Sequence, residues 1–165
     1  MTLELYAHPF SSYCQKVLIA LYENATPFEF RMLGLDDEVA AEFAAVSPFR
    51  RMPVLVDCGR AVFESSVIIE HLALHHAGPV QLLPDNPEAA LDVRSLDRIF
   101  DTYVMTPMQK IVLDSLRPAD ARDAFGVAEA RRLLDTAYAW IDAVVASRTW
   151  AAGETFSLAD CAAAP

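Results

Sequence analysis

Basic residues are in short supply: 13 Lys and Arg stand against 23 Asp and Glu, a formal net charge of -10. Affinity for a nucleic-acid backbone comes mainly from Lys and Arg neutralising phosphates. That class of partner is therefore not expected, and an anionic ligand needs a local basic exception. Cysteine is scarce too. Cys14, Cys58 and Cys161 are odd in number and far too few to form a disulfide scaffold, so they read as reduced thiols. Apolar runs approaching the roughly 18 residues that span a bilayer are missing. Met1-Thr-Leu-Glu-Leu5 has neither the basic region nor the apolar stretch of a signal peptide. The expectation is a soluble cytoplasmic protein with no membrane or nucleic-acid partner. No internal repeat or low-complexity segment is present, and strand patterns stop after residue 63.

What remains is ample material for a core: hydrophobic residues make up 54% of the 165 and charged residues 22%. Leu3 to Ala7 reads as a strand. Cys14, Val17, Leu18 and Leu21 then fall on one face of a helix from Ser12 to Asn24. Phe28, Phe30 and Met32 alternate with Glu29 and Arg31 in a second strand over 27–33, which suggests a parallel crossover unit. A helix follows over 36–45. The strands Val54 to Asp57 and Ala61 to Phe63 then flank Cys58-Gly59, a tight-hairpin signal. From Ser65, a helical stripe of Val67, Ile68, His71, Leu72 and His75 runs toward Gly78-Pro79. Asn86-Pro87 opens a wholly helical region, whose first helix is expected from Pro87 to about Leu116 with a bend at Pro107. Its second carries Leu133, Leu134, Ala137, Ile141, Val144 and Val145. Ser157 and Asp160 form a capping-box variant at the start of a last helix.

Chemistry concentrates in His8-Pro-Phe-Ser-Ser-Tyr-Cys14, between the first strand and first helix. A dithiol redox protein would carry Cys-x-x-Cys here; Ser11 replaces the first thiol. A hydroxyl cannot enter the mixed disulfide of thiol exchange, but it can donate a hydrogen bond to a thiolate beside a helix N-terminus. Cys14 lies on the apolar stripe and reads as a buried, inert thiol. Tyr6, at the strand end, reads first as packing. His71 and His75 are spaced i, i+4, but no Glu-rich or Cys partner accompanies them, and no metal is assigned.

Together, YAHPFSSYCQKVLIAL, PFRRMPVLVDCGRAVFESSVIIEHL and FSLADCAAAP resemble the cytosolic glutathione S-transferase family, in its bacterial type with serine at the catalytic position. The resemblance implies an α/β thioredoxin-like domain (1–78), a linker (79–86) and an all-α helical-bundle domain (87–165) that is incomplete. It also implies glutathione as co-substrate, a cytoplasmic homodimer, and a detoxifying transferase joining the glutathione thiolate to a small apolar electrophile. Other glutathione chemistry (peroxidase, isomerase, dehalogenase) and a non-catalytic binding or regulatory role are the alternatives. By the same resemblance Ser11 stabilises the thiolate, with Tyr6 and Cys14 as runners-up. Arg51, Met52 and Pro53, through a cis Met52-Pro53 bond, hold the ligand backbone, while Glu64 and Ser65 hold the γ-glutamyl end. Phe10, Tyr103, Met105 and Thr106 line the acceptor site.

Overall fold

Three antiparallel or parallel ladders organise the N-terminal half. In the computed structural model, which describes residues 3–165, β1 (Leu3–Ala7), α1 (Ser12–Glu23), β2 (Phe28–Met32), α2 (Asp37–Val46), β3 (Val54–Asp57), β4 (Arg60–Phe63) and α3 (Ser65–His75) follow in order. The sheet runs β2-β1-β3-β4, with β1 and β2 parallel and the other two pairs antiparallel. This is the thioredoxin-like arrangement. Alternation along β1 sends Tyr6 to one face of the sheet, where it clusters with Leu33 and Val54 against Val39, Phe43 and Val46 around α2. Leu5 and Ala7 turn the other way, toward the face where Cys14, Val17 and Leu21 of α1 and Ile68 and Leu72 of α3 are buried.

Two helix faces differ from expectation. Leu18 is only half-buried, and Lys16 takes a buried place on α1. Its long stem crosses apolar surface, and its ammonium donates to Ser66 Oγ of α3 at 2.9 Å. On α3 the buried stripe is Ile68, Ile69 and Leu72, while Val67 and His75 are exposed. Ser65, at the first position of the helix, is itself buried.

The β3–β4 loop is Cys58-Gly59, with φ of 51° and 80°. Positive φ at both central residues is the type I′ geometry that matches strand twist, and Gly59 adopts it without a Cβ penalty. At the end of this unit, a Cβ on Gly78 would fall 2.4 Å from Asn24 Oδ1. Only glycine lets the chain pass close enough for that same oxygen to accept the Val80 amide at 2.8 Å. The residues up to Asn86, with Ala164–Pro165, form one compact unit.

Pro87–Ala163 forms the second. Its first helix is not one bent rod. It comprises α4 (Pro87–Ile99), a π-helical stretch at Phe100–Met105, and α5 (Thr106–Ser115). Pro107 has no amide to give and crowds the carbonyl four residues back; the wider π turns immediately upstream take up that misfit. Helix α6 (Ala124–Val145) follows, capped by Asp123, which accepts the Gly126 amide at 2.8 Å. It buries Ala130, Leu134 and Ala137, whereas Leu133 stays partly exposed. Helix α7 (Leu158–Ala163) opens as expected. Asp160 reaches back to accept from Ser157 N and Ser157 Oγ, both at 2.9 Å, and also accepts the Ala151 amide at 2.7 Å.

Candidate functional site

Strand register, rather than any single motif, assembles the site. Ala7 of β1 pairs with Met32, Tyr6 pairs with Val54, and Val54 pairs with Phe63. The end of β1, the start of β3 and the end of β4 therefore share one edge of the sheet. Three segments far apart in sequence, 8–11, 50–53 and 64–65, emerge there side by side.

The first segment is fastened from several directions. The Ser11 amide donates to His8 O at 3.0 Å. The Phe10 amide donates to His8 Nδ1 at 3.2 Å, and Gln15 Nε2 holds the Pro9 carbonyl at 2.7 Å. Sequence reading missed Gln15, whose role depends on the loop curling back over the first turn of α1. Ser11 is the N-cap of α1, with extended φ and ψ of -90° and 119°, and its carbonyl accepts from Cys14 N and Gln15 N at 2.9 Å. Its hydroxyl makes no cap hydrogen bond. An N-cap serine usually spends that oxygen on the N2 or N3 amide; here it is left for other partners beside the helix's positive end.

The runners-up are placed differently. Cys14 is fully buried, which pushes its thiol pKa up, and its sulfur lies within hydrogen-bond reach of the Ser11 hydroxyl. A protonated thiol there can position Ser11 but is a poor nucleophile. Tyr6 is buried on the α2 face, with its ring 6.2 Å from that of Phe43. Its phenol reaches Glu42 at 3.2 Å and Glu4 at 3.3 Å, and Glu42 is in turn paired with Arg31. Burial, then Glu42, pushes the Tyr6 pKa up. That hydroxyl is committed to carboxylates.

The second segment carries a cis Met52-Pro53 bond. Pro53 is buried, and Met52 lies just outside the β1–β3 ladder and 40% exposed. Ser47, buried, donates from Oγ to the Arg51 carbonyl at 3.4 Å, while the Arg51 side chain is exposed. In the third segment, Glu64 is the N-cap of α3 with φ 67° and ψ 121°, and its carboxylate caps nothing. L residues rarely occupy that region, and such strain persists where surrounding structure imposes it, most often at functional sites. Nothing in the sequence marked Glu64 as strained. Ser65 follows, buried at the first turn of α3, where helix amides favour an anion.

Of the expected acceptor residues, Phe10 is 89% exposed beside His8, with ring centroids 5.4 Å apart. The other three belong to the helical unit. Tyr103 is half-exposed, Met105 is buried, and Thr106 donates its hydroxyl to the Asp101 carbonyl at 2.9 Å. Tyr103 is the one of the three with an accessible ring. Among the described residues, no helix is long and apolar enough to cross a membrane.

Comparison with known proteins agrees with this geometry. Residues 5–80 match the profile of the glutathione S-transferase N-terminal domain, and residues 104–165 match that of the C-terminal domain. Glutathione S-transferase hmp2 of Hypomyces subiculosus is 26% identical over 168 residues, covering 97% of this chain and 78% of that protein. A glutathione S-transferase of Methylobacillus flagellatus, solved with glutathione bound, superposes with a TM-score of 0.89 at 26% identity, over 98% of this chain and 79% of its own. One from Methylobacterium radiotolerans, in complex with glutathione sulfonate, gives 0.83 at 32% identity, over 99% and 76%. With both domain profiles matched in order and near-complete superposition on these enzymes, the chain belongs to the glutathione S-transferase family and is a transferase.

Proposed function

We propose that glutathione binds along the shared sheet edge and that Ser11 holds its sulfur as the thiolate for attack on a small apolar electrophile. The observation that carries this reading is the Ser11 hydroxyl, placed at the α1 N-cap yet not used to cap the helix. The donor set fits the tripeptide. Glu64 offers a carboxylate to the γ-glutamyl ammonium, and the first turn of α3 with Ser65 faces its carboxylate. The Met52 backbone, just beyond the ladder, is available to an extended peptide, and Arg51 supplies positive charge nearby.

Glutathione brings the nucleophile: its sulfur lone pair forms the new C–S bond as the electrophile expels a leaving group with the bonding electrons. Ser11 Oγ donates to that sulfur and so favours its charged form, while the α1 N-terminus adds positive potential. Cys14, protonated by burial, sits behind Ser11 and fixes its rotamer. The acceptor lies on the Phe10 side of the sulfur, where an exposed aromatic ring matches an apolar substrate. The test is calorimetric titration with glutathione followed by a conjugation assay on small aryl halides. Saturable binding and a product of mass equal to the two reactants less the hydrogen halide are expected. Binding without any conjugation across a panel of halides, epoxides and enones would overturn the transferase chemistry assigned to this edge.

A further inference from the structure

At the opposite edge of the same sheet lies a second constellation. Asp57, the last residue of β3, accepts at Oδ2 from His71 Nε2 at 2.9 Å and from His76 Nε2 at 2.7 Å. One ligand atom from each of the three residues falls within 4.8 Å of the others. The Asp57 and His71 side chains are largely buried, at 14% and 10% exposure, and His76 is about a third exposed. Two rigid elements meet here: the β3–β4 hairpin brings Asp57, and the last turn and C-cap of α3 bring His71 and His76. The strand places Asp57 about 10 Å from Val54, and the helix places His71 about 9 Å from Ser65. The cluster is therefore separate from the glutathione edge.

We propose that Asp57, His71 and His76 form a binding site for a divalent cation of the zinc class. Two imidazoles and one carboxylate leave the fourth tetrahedral position open, a donor set suited to Zn2+. At bonds of about 2.0–2.2 Å, a tetrahedral Zn2+ holds its ligand atoms about 3.3–3.5 Å apart. The present separations of 2.9 and 2.7 Å thus need to open by only about half an ångström. Each Nε2 now shares a proton with the same carboxylate oxygen. Metal entry requires both nitrogens to present a lone pair, with the proton lost to solvent or moved to Nδ1. The Asp57 carboxylate supplies the anionic ligand of the set. The exposed Cys58 thiol also donates to this carboxylate. His75 is the sequence neighbour that does not join: its ring lies tilted against that of His71 with centroids 4.5 Å apart, but it lies outside the three-residue cluster.

The test is titration of the reduced protein with Zn2+ alone, in competition with a chromophoric chelator. Parent, His76→Ala, Asp57→Asn and His75→Ala are compared, with circular dichroism to confirm folding. One Zn2+ per chain is expected, weakened at least tenfold in His76→Ala and in Asp57→Asn and within about twofold of parent in His75→Ala. A melting temperature that rises with Zn2+ in the parent and not in His76→Ala is also expected. The proposal is overturned by any of three results: no saturable one-to-one binding, affinity unchanged in both ligand variants, or loss of binding in His75→Ala equal to that in His76→Ala. His76 is a partly exposed helix cap, so its variant stays informative even if Asp57→Asn loosens the hairpin.

Discussion

Glu64 carries two loads that substitution can separate. Its φ of 67° with ψ of 121° lies where an L residue is strained, at a cost of about 1–3 kcal/mol; its carboxylate, which caps nothing, is the proposed acceptor for the ligand ammonium. Glu64→Ala keeps the strain, because Ala also has a Cβ, and removes the carboxylate. Glu64→Gly removes both. Glycine costs about 0.5–1 kcal/mol more in chain entropy, so Glu64→Gly is expected to be more stable than Glu64→Ala by about 0.5–2 kcal/mol. For a chain of this size that is a melting difference of roughly 1–8 °C. Both variants lose a charge-assisted hydrogen bond to ligand of about 1.5–3 kcal/mol, so both bind glutathione about ten- to a hundredfold more weakly. Thermal melts and calorimetric titration on the same three proteins decide it. A Glu64→Gly protein less stable than Glu64→Ala refutes the strain, and parental affinity in both refutes the carboxylate's role.

Asp160→Ala strips acceptors from two buried amides and the Ser157 hydroxyl; at about 1–3 kcal/mol per orphaned group that cannot re-pair, a loss of about 3–5 kcal/mol is expected in denaturant melts, with less in Asp160→Asn. Cys14→Ala removes one fully buried sulfur and is expected to cost about 1 kcal/mol of stability, while turnover, read in a conjugation assay, falls less than threefold. Tyr6→Phe is expected to lower stability by about 1 kcal/mol through its link to Glu42 and to leave the pH profile of conjugation in place. A shifted profile would move the catalytic hydroxyl to Tyr6.

Much of the N-terminal unit was legible because its signals are local. The alternation in 28–32, the Cys58-Gly59 turn and the stop at Gly78 each act within a few residues, and the strands fall where they predict. Among the candidate site residues, Ser11 was singled out by its place before the first helix, and Met52 and Glu64 only through family resemblance; what brings the three to one edge is register, a property of paired strands. The burial of Lys16 was not legible because apolar periodicity counts charge as solvent-facing, while a long stem with a Ser66 partner can be buried. The π turns at 100–105 were hidden because Pro107 announces a misfit without saying how the backbone absorbs it. The sequence set His75, at i, i+4, beside His71. Its actual partner, Asp57, lies 14 residues away on a strand, beyond the reach of helical spacing.

The central claim is that Ser11 sets the acidity of bound glutathione, and thiolate absorbance against pH in the enzyme–glutathione complex tests it most directly. A free thiol titrates near ~8.5, and lowering that by one to two units takes about 1.4–2.7 kcal/mol, within the roughly 1.5–3 kcal/mol of a charge-assisted hydrogen bond. The account predicts that Ser11→Ala moves the curve up by about one to two units while glutathione affinity stays within about threefold, since Glu64, Ser65 and the Met52 backbone still hold the ligand. A curve that is unchanged in Ser11→Ala and displaced in Tyr6→Phe would contradict it.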